Sequence, residues 1–474
     1  MRFTLLLVGL LLSSSTFAQV DRKIVGTWMG EIVSGSQSFR MVLHLKDDGG
    51  TLSCTLDSPD QGALGLPVKG ATFANGLLKV DASNLSAAYE GKLLAGDSTV
   101  VGRWMQDGVA FPLNLSKQEK AVKLNRPQEP VAPFPYTVQQ LTVDNAAGGA
   151  ALSATLIIPK GAGTFAAVVL LSDTGPHNRD AEVMGHKPFW VMADFLARNG
   201  IASIRFDERG VGKSTGNFKA ATTNDFASDA LAAFRVLYAN PKVNKKKVGL
   251  LGHGEGAVVA AMVAGAEPKA AFVTLLSGMG IVGEDILLKQ ARAIARASGM
   301  AESAAAEAEE LNREMYNIVK TEPDNSQAIT QLTDMAWTVA NGQPSLSREE
   351  RSAVVDNISK SFATLLLPWY RGFLVLNPAT YLAKVRVPVL ALSGAMDLEV
   401  SADENLKAIE AALREGGNAT FKVLKIDELN HLLQHCKTGL PNEYGVIEET
   451  ISPDVLRLVK DWIKNEVGQP APKK

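Results

Sequence analysis

A tight turn carrying alternate glycines constrains this chain more than any other segment. Val248-Gly249-Leu250-Leu251-Gly252-His253-Gly254-Glu255-Gly256-Ala257 begins as an apolar run, passes through glycines 252, 254 and 256, and continues into helix-forming residues. It reads as a buried strand delivered straight into a helix. Glycine at the centre of such a turn tolerates a left-handed conformation that a side chain would strain. A strand of this kind belongs in a sheet with both faces covered.

The surrounding pattern agrees. Apolar runs recur at Ala166 to Leu171, Ile201 to Phe206, Val248 to Leu251, Ala271 to Leu276, Val387 to Leu392 and Phe421 to Ile426. Helical periodicity fills several of the intervals, as at Lys187 to Arg198 and Asp225 to Tyr238. Strands alternating with helices imply an α/β fold with a mainly parallel sheet and helices on both faces. A long alanine- and glutamate-rich interruption, helical through Glu302 to Lys320, separates the fourth and fifth runs. At the carboxyl edge of such a sheet it is expected to form a helical cap, at about 284–376. An amphipathic helix, Val455 to Val467, follows the start signal Ser452-Pro453-Asp454.

The N-terminal part differs. Short alternating segments such as Phe39 to Leu45 and Thr99 to Trp104, with turn residues about every ten positions, predict a small antiparallel barrel or sandwich. Trp28 and Trp104 are placed to close its ends. A polar stretch with Pro127, Pro130, Pro133 and Pro135 then reads as a linker. The expected division is therefore a leader at 1–18, a β domain at 19–117, a linker at 118–135 and an α/β domain at 136–468.

Composition narrows the function. With 46% apolar residues, 21% charged residues and a net charge of -2, the chain has no basic surface suited to nucleic acid. Met1-Arg2, the apolar run Leu5 to Leu12 and Thr16-Phe17-Ala18 form a secretory signal peptide, too short to span a membrane. Cleavage near Ala18 would leave a periplasmic or secreted protein without a membrane span. Cys54 and Cys436 fall in different domains and read as two unpaired thiols.

The chemistry lies in three segments. Residues 252–256 have the frame G-x-S-x-G of a nucleophile elbow, with Gly254 in the serine position. Asp397 follows the strand Val387 to Leu392, where an orienting carboxylate belongs. His431, in Leu429-Asn430-His431-Leu432, follows the strand ending at Ile426, where a base belongs. Nucleophile, acid and histidine occur in the chain order of a strand-borne triad. Backbone N–H groups of Thr174 and Glu255 are placed for an oxyanion hole. Asp173, however, brings a carboxylate near that hole. His431 and His435 lie four apart, but no third ligand is near them in the chain, so neither a metal nor another cofactor is expected. Glu255 would face His253, Arg209 or nothing. Trp369, Tyr370 and Phe373 read as cap core or as a pocket wall.

Asp207-Glu208-Arg209-Gly210-Val211-Gly212-Lys213-Ser214, Gly185-His186-Lys187-Pro188-Phe189, Lys437 to Pro441 and Ile447 to Pro453 complete a recognisable set. With Leu429 to Leu432 they make the chain resemble the α/β-hydrolase superfamily, and within it secreted bacterial carboxylesterases of the EstD type, which carry a small β domain first. The resemblance extends over nearly the whole mature chain. It implies Asp397 as triad acid and His431 as triad base, with Ser214 structural. It also marks two departures: Gly254 for serine, and Ser172-Asp173-Thr174-Gly175 for a Ser-Gly-Ser-Gly turn.

The expected function is a carboxylic-ester hydrolase lineage with little or no triad catalysis, a pseudoenzyme binding a small ester, acyl or peptide-like ligand under the cap. One alternative is a working hydrolase that uses water activated by His431 and Asp397, or Ser172 or Thr174 as nucleophile. The other is an exported binding or scaffold protein that acts through its β domain.

Overall fold

The computed structural model describes residues 20–34, 37–58, 63–106, 109–118 and 125–466. The expected leader, the first part of the expected linker (119–124) and the C-terminal tail lie outside them. The chain divides into two compact units, 1–124 and 125–474.

The first unit is an antiparallel sheet. Its strands are β1 (Gly26–Ser34), β2 (Gln37–Asp48), β3 (Thr51–Ser58), β4 (Ala63–Pro67), β5 (Gly70–Ala74), β6 (Leu77–Ala82), β7 (Ala87–Leu93), β8 (Thr99–Gln106), β9 (Val109–Pro112) and β10 (Leu115–Gln118). They run in the order β4-β3-β2-β1-β10-β8-β7-β6-β5, with β9 also on β8. Alternate residues of β3, β6 and β7 are buried, as a sheet with one covered face requires. Trp28 and Trp104 are both fully buried in the core. The Trp28 indole N–H donates to the Ile24 carbonyl at 2.7 Å, which satisfies its buried donor. Cys54 also lies in this core, and neither it nor Cys436 is disulfide-bonded.

The second unit is built on eight strands: β11 (Tyr136–Asn145), β12 (Ala150–Pro159), β13 (Phe165–Leu171), β14 (Ile201–Phe206), β15 (Val243–His253), β16 (Val273–Leu276), β17 (Val389–Gly394) and β18 (Phe421–Ile426). Their order is β11-β12-β14-β13-β15-β16-β17-β18. β11 and β12 form an antiparallel hairpin joined antiparallel to β14, and every later pairing is parallel. One face packs against α2 (Thr223–Ala239), α3 (Glu255–Ala266) and α11 (Ala402–Glu415). The other packs against α1 (Pro188–Arg198) and α12 (Pro453–Asp461). The final helix is shorter than expected, because its last turn relaxes into a π-helical turn at Trp462–Glu466.

Between β16 and β17 lies the helical insertion: α4 (Gly283–Ala297), α5 (Glu302–Thr321), α6 (Asn325–Asn341), α7 (Arg348–Ser359), α8 (Phe362–Leu365), α9 (Pro368–Leu374) and α10 (Ala379–Leu382). It has a core of its own around Val319, Leu332, Ala336 and Phe362. A second cluster, with Ile286 and Phe373 against Val258 and Val400, fastens it to the sheet-bearing part.

The expected linker is not free along its length. Arg126 donates to the carbonyls of Met184, Gly185, Gly445 and Ile447, at 2.8–3.3 Å. Gln128 brackets Thr450 and Ile451 through both ends of its amide. These residues belong to the second unit.

Candidate active site

The residues singled out in the sequence follow the carboxyl ends of neighbouring parallel strands, where a sheet of this kind gathers chemistry. Asp173 follows β13, Gly254 follows β15, Asp397 follows β17 and His431 follows β18.

The turn after β15 explains its glycines. Gly254 has φ +53° and ψ -117°, a backbone that side chains rarely adopt. A Cβ on Gly256 would stand 2.3 Å from the Leu171 carbonyl oxygen, so α3 crosses β13 only because that side chain is absent. At Gly254 the obstacle is different. A Cβ there would meet the Asp173 carboxylate, with Oδ1 1.7 Å away and Cγ 2.1 Å away. The carboxylate occupies the space above the turn where a serine side chain would begin.

Asp173 is held from several sides. Its Oδ1 accepts the Glu255 N–H at 2.8 Å. Its Oδ2 lies 2.9 Å from His431 Nε2 and 3.9 Å from His253 Nδ1. His431 Nδ1 lies 2.8 Å from Asp397 Oδ2. The imidazole therefore stands between two carboxylates. Asp397 is oriented in turn by the N–H groups of Glu399 and Val400, which donate to its Oδ1 at 2.9 and 2.7 Å. The His431 carbonyl accepts from the Ser277 hydroxyl and from His253 Nε2, at 2.9 and 2.8 Å. These bonds fix the backbone that aims the ring.

The charges follow from this packing. Burial opposes a charge on His431, but Asp397, Glu399 and Asp173 outweigh it and hold the imidazole protonated well above its ordinary range. Burial likewise pushes Asp173 upward, yet the hydrogen bond and charge of His431 pull it below the usual carboxylate range. His253 is shifted the other way, toward neutrality, by burial and by the neighbouring His431 charge.

Two further carboxylates near Asp173 are buried. Glu255 accepts from the Thr223 hydroxyl at 2.6 Å and from the Trp369 indole at 2.9 Å. Burial lifts it to about 7 despite these bonds. Its partners are thus neither His253 nor Arg209, and Arg209 instead pairs with Asp229 at 2.7 Å. Glu208, raised well above the carboxylate range by burial, accepts from Ser172 Oγ at 2.6 Å.

The structure brings Asp397, His431, Gly254 and Glu255 to one cluster around Asp173. The Glu255 N–H expected in an oxyanion hole is already taken by Asp173. The Thr174 carbonyl meets His177 Nε2 at 3.0 Å. Ser214 donates to the Asp207 carbonyl at 2.6 Å, within the turn it was expected to shape. His435 pairs with Glu449 at 2.8 Å. His253, which sequence reasoning treated only as a neighbour of Glu255, joins the cluster. Its position inside the glycine turn was the available signal.

A cleft of about 770 Å³ opens on Asp173, His253 and His431, walled by Phe189, Met192 and Tyr444 among others. None of its lining residues comes from the helical insertion. Helix α4 instead borders a separate hollow of about 580 Å³ beside Asp397, and Glu399 reaches both. Trp369 meets Glu255, while Phe373 is buried among insertion and sheet residues.

Comparison with known proteins agrees with a hydrolase lineage. Esterase EstD of Thermotoga maritima is 24% identical over 334 residues, covering 69% of this chain and 68% of its own. Among solved structures, the α/β hydrolase GrgF from Penicillium sp. sh18 aligns with a TM-score of 0.38 at 15% identity, over 63% of this chain and 92% of its own. An esterase of Pyrococcus furiosus aligns with a TM-score of 0.38 at 16% identity, over 65% and 90%. Residues 148–432, more than half of the chain, match the sequence profile of the X-Pro dipeptidyl-peptidases, and the chain accordingly belongs to that S15 family.

Proposed function

We propose that this protein is an exported α/β-hydrolase-fold member of a carboxylesterase lineage in which serine acyl transfer does not operate, and that it binds a small ester or acyl ligand in the cleft beside His431. Asp397 and His431 keep the places of a triad acid and base, and Gly254 stands at the nucleophile position. The observation that carries the reading is the Asp173 carboxylate filling the space a serine at 254 would need. Two changes, not one, separate this site from a serine esterase.

The alternatives meet specific obstacles. A water-activating His431 would have to be neutral with Nε2 free, whereas it is paired with Asp173 and held protonated. Ser172 donates to Glu208, not to His431. Loss of a serine nucleophile costs on the order of a millionfold in kcat.

Hydrolysis of short-chain p-nitrophenyl esters tests this. The natural chain and Gly254→Ser alone are expected to stay near background, the latter because its new Cβ collides with Asp173. Gly254→Ser combined with Asp173→Gly is expected to hydrolyse the esters, and His431→Ala should abolish that gain. Strong hydrolysis by the natural chain that disappears with His431→Ala would refute the reading.

A further inference from the structure

We propose that Asp173, His253 and His431 form a site for one divalent transition-metal ion of the zinc class. The inference takes from the preceding reading only that a carboxylate, and not a serine, fills the turn.

The donor atoms of the three residues all lie within 4.8 Å of one another. Two of the separations are 2.9 and 3.9 Å, from Asp173 Oδ2 to His431 Nε2 and to His253 Nδ1. Ligands sharing one zinc at bonds of ~2.0–2.2 Å stand roughly 3–3.5 Å apart, so small side-chain adjustments would close the site. Two imidazoles and one carboxylate are a donor set suited to zinc and its first-row neighbours.

Proton placement supports the same geometry. His253 Nε2 faces the His431 carbonyl, which can only accept. That nitrogen therefore carries the hydrogen, and Nδ1 presents its lone pair toward Asp173. His431 Nδ1 faces the Asp397 carboxylate and donates to it, which leaves Nε2 as the ligating nitrogen once an ion replaces its proton. Asp173 has its second oxygen on the Glu255 N–H. Each candidate ligand thus has its other polar atom bonded to a fixed partner, as metal ligands require.

His253 bonds the His431 carbonyl through Nε2, and the metal site would use its other ring nitrogen. The three ligands come from different strand ends, so the sheet preorganises them. All three also border the 770 Å³ cleft, which leaves a coordination position open to water or to a ligand oxygen.

The test is metal binding by the chelator-stripped full chain, with Zn2+ followed by calorimetry and Co2+ by its visible absorption. One ion per chain is expected. His253→Ala and the Gly254→Ser/Asp173→Gly pair should each weaken binding more than about 100-fold, and Asp397→Asn by about 10–100-fold. His435→Ala should leave it unchanged. Circular dichroism reports whether each variant folds. Absence of stoichiometric binding by the natural chain, or an affinity in folded ligand variants equal to that of the natural chain, overturns the site. Metal binding by the natural chain, with no ester hydrolysis by a paired variant that is folded, would sink the serine-loss reading alone. The reverse result would sink the metal site alone.

Discussion

At the scale of single residues, Gly254 and Asp173 make one unit. Either is unremarkable alone, since a turn glycine and a loop aspartate are common. The sequence marked both as departures and marked Asp173 as unfavourable to an oxyanion. It did not show that one carboxylate oxygen takes the Glu255 N–H while the other faces His431. That depends on the crossing of β13 and α3, which no local pattern encodes. His186 shows the opposite kind of role, purely structural. It is fully buried, with Nε2 donating to the Tyr444 carbonyl at 2.8 Å and Nδ1 meeting the Thr450 hydroxyl at 2.9 Å. Burial, and next the Arg126 charge, lower it from 6.5 to about 4. A histidine depressed on folding contributes stability that is whole above its unfolded value and is lost as pH falls through the folded one. Roughly 3 kcal/mol should therefore disappear between pH 6.5 and about 4. Urea unfolding across that range should show a shallower loss for His186→Gln than for the natural chain. Parallel curves would refute the assignment.

At the scale of elements, continuous apolar runs announced the buried strands well. β14 and β18 match their expected spans, and β15 begins earlier than its apolar core because Val243 pairs with Phe165. The β11–β12 hairpin was not anticipated. β11 is an edge strand with most of its middle exposed, so its sequence lacks a clean alternation. The helical insertion was legible from composition, but its attachment was not. Asn405 on α11 holds the approach to the insertion: its Oδ1 accepts from the N–H groups of Gly280 and Ile281 just before α4, and its Nδ2 donates to the Ser401 carbonyl. Asn405→Ala would strand those buried donors and should cost about 1–3 kcal/mol. Faster amide exchange at Gly280 and Ile281 should accompany the lowered urea midpoint. Unchanged exchange there would mean that the bonds do not hold the insertion.

For the whole molecule, the functional boundary lies earlier than the proline pattern suggested. A linker was expected through residue 135, yet Arg126 and Gln128 are integral to the second unit. A fragment of residues 125–474 should fold cooperatively by itself. One beginning at Tyr136 loses the four carbonyl contacts of Arg126 and the bracket made by Gln128, and should be weaker by on the order of 3 kcal/mol. Equal melting temperatures for the two fragments would overturn that boundary. By itself the sequence determined the division into β and α/β parts, the glycine turn, and the chain order of Gly254, Asp397 and His431, because each is written in local periodicity or spacing. Only the tertiary structure decided what stands over the turn. Strand order brings Asp173, His253 and His431 together from positions 258 residues apart at the extreme, and burial then sets their charges. Proximity of that kind is a property of the folded sheet, not of any segment within it.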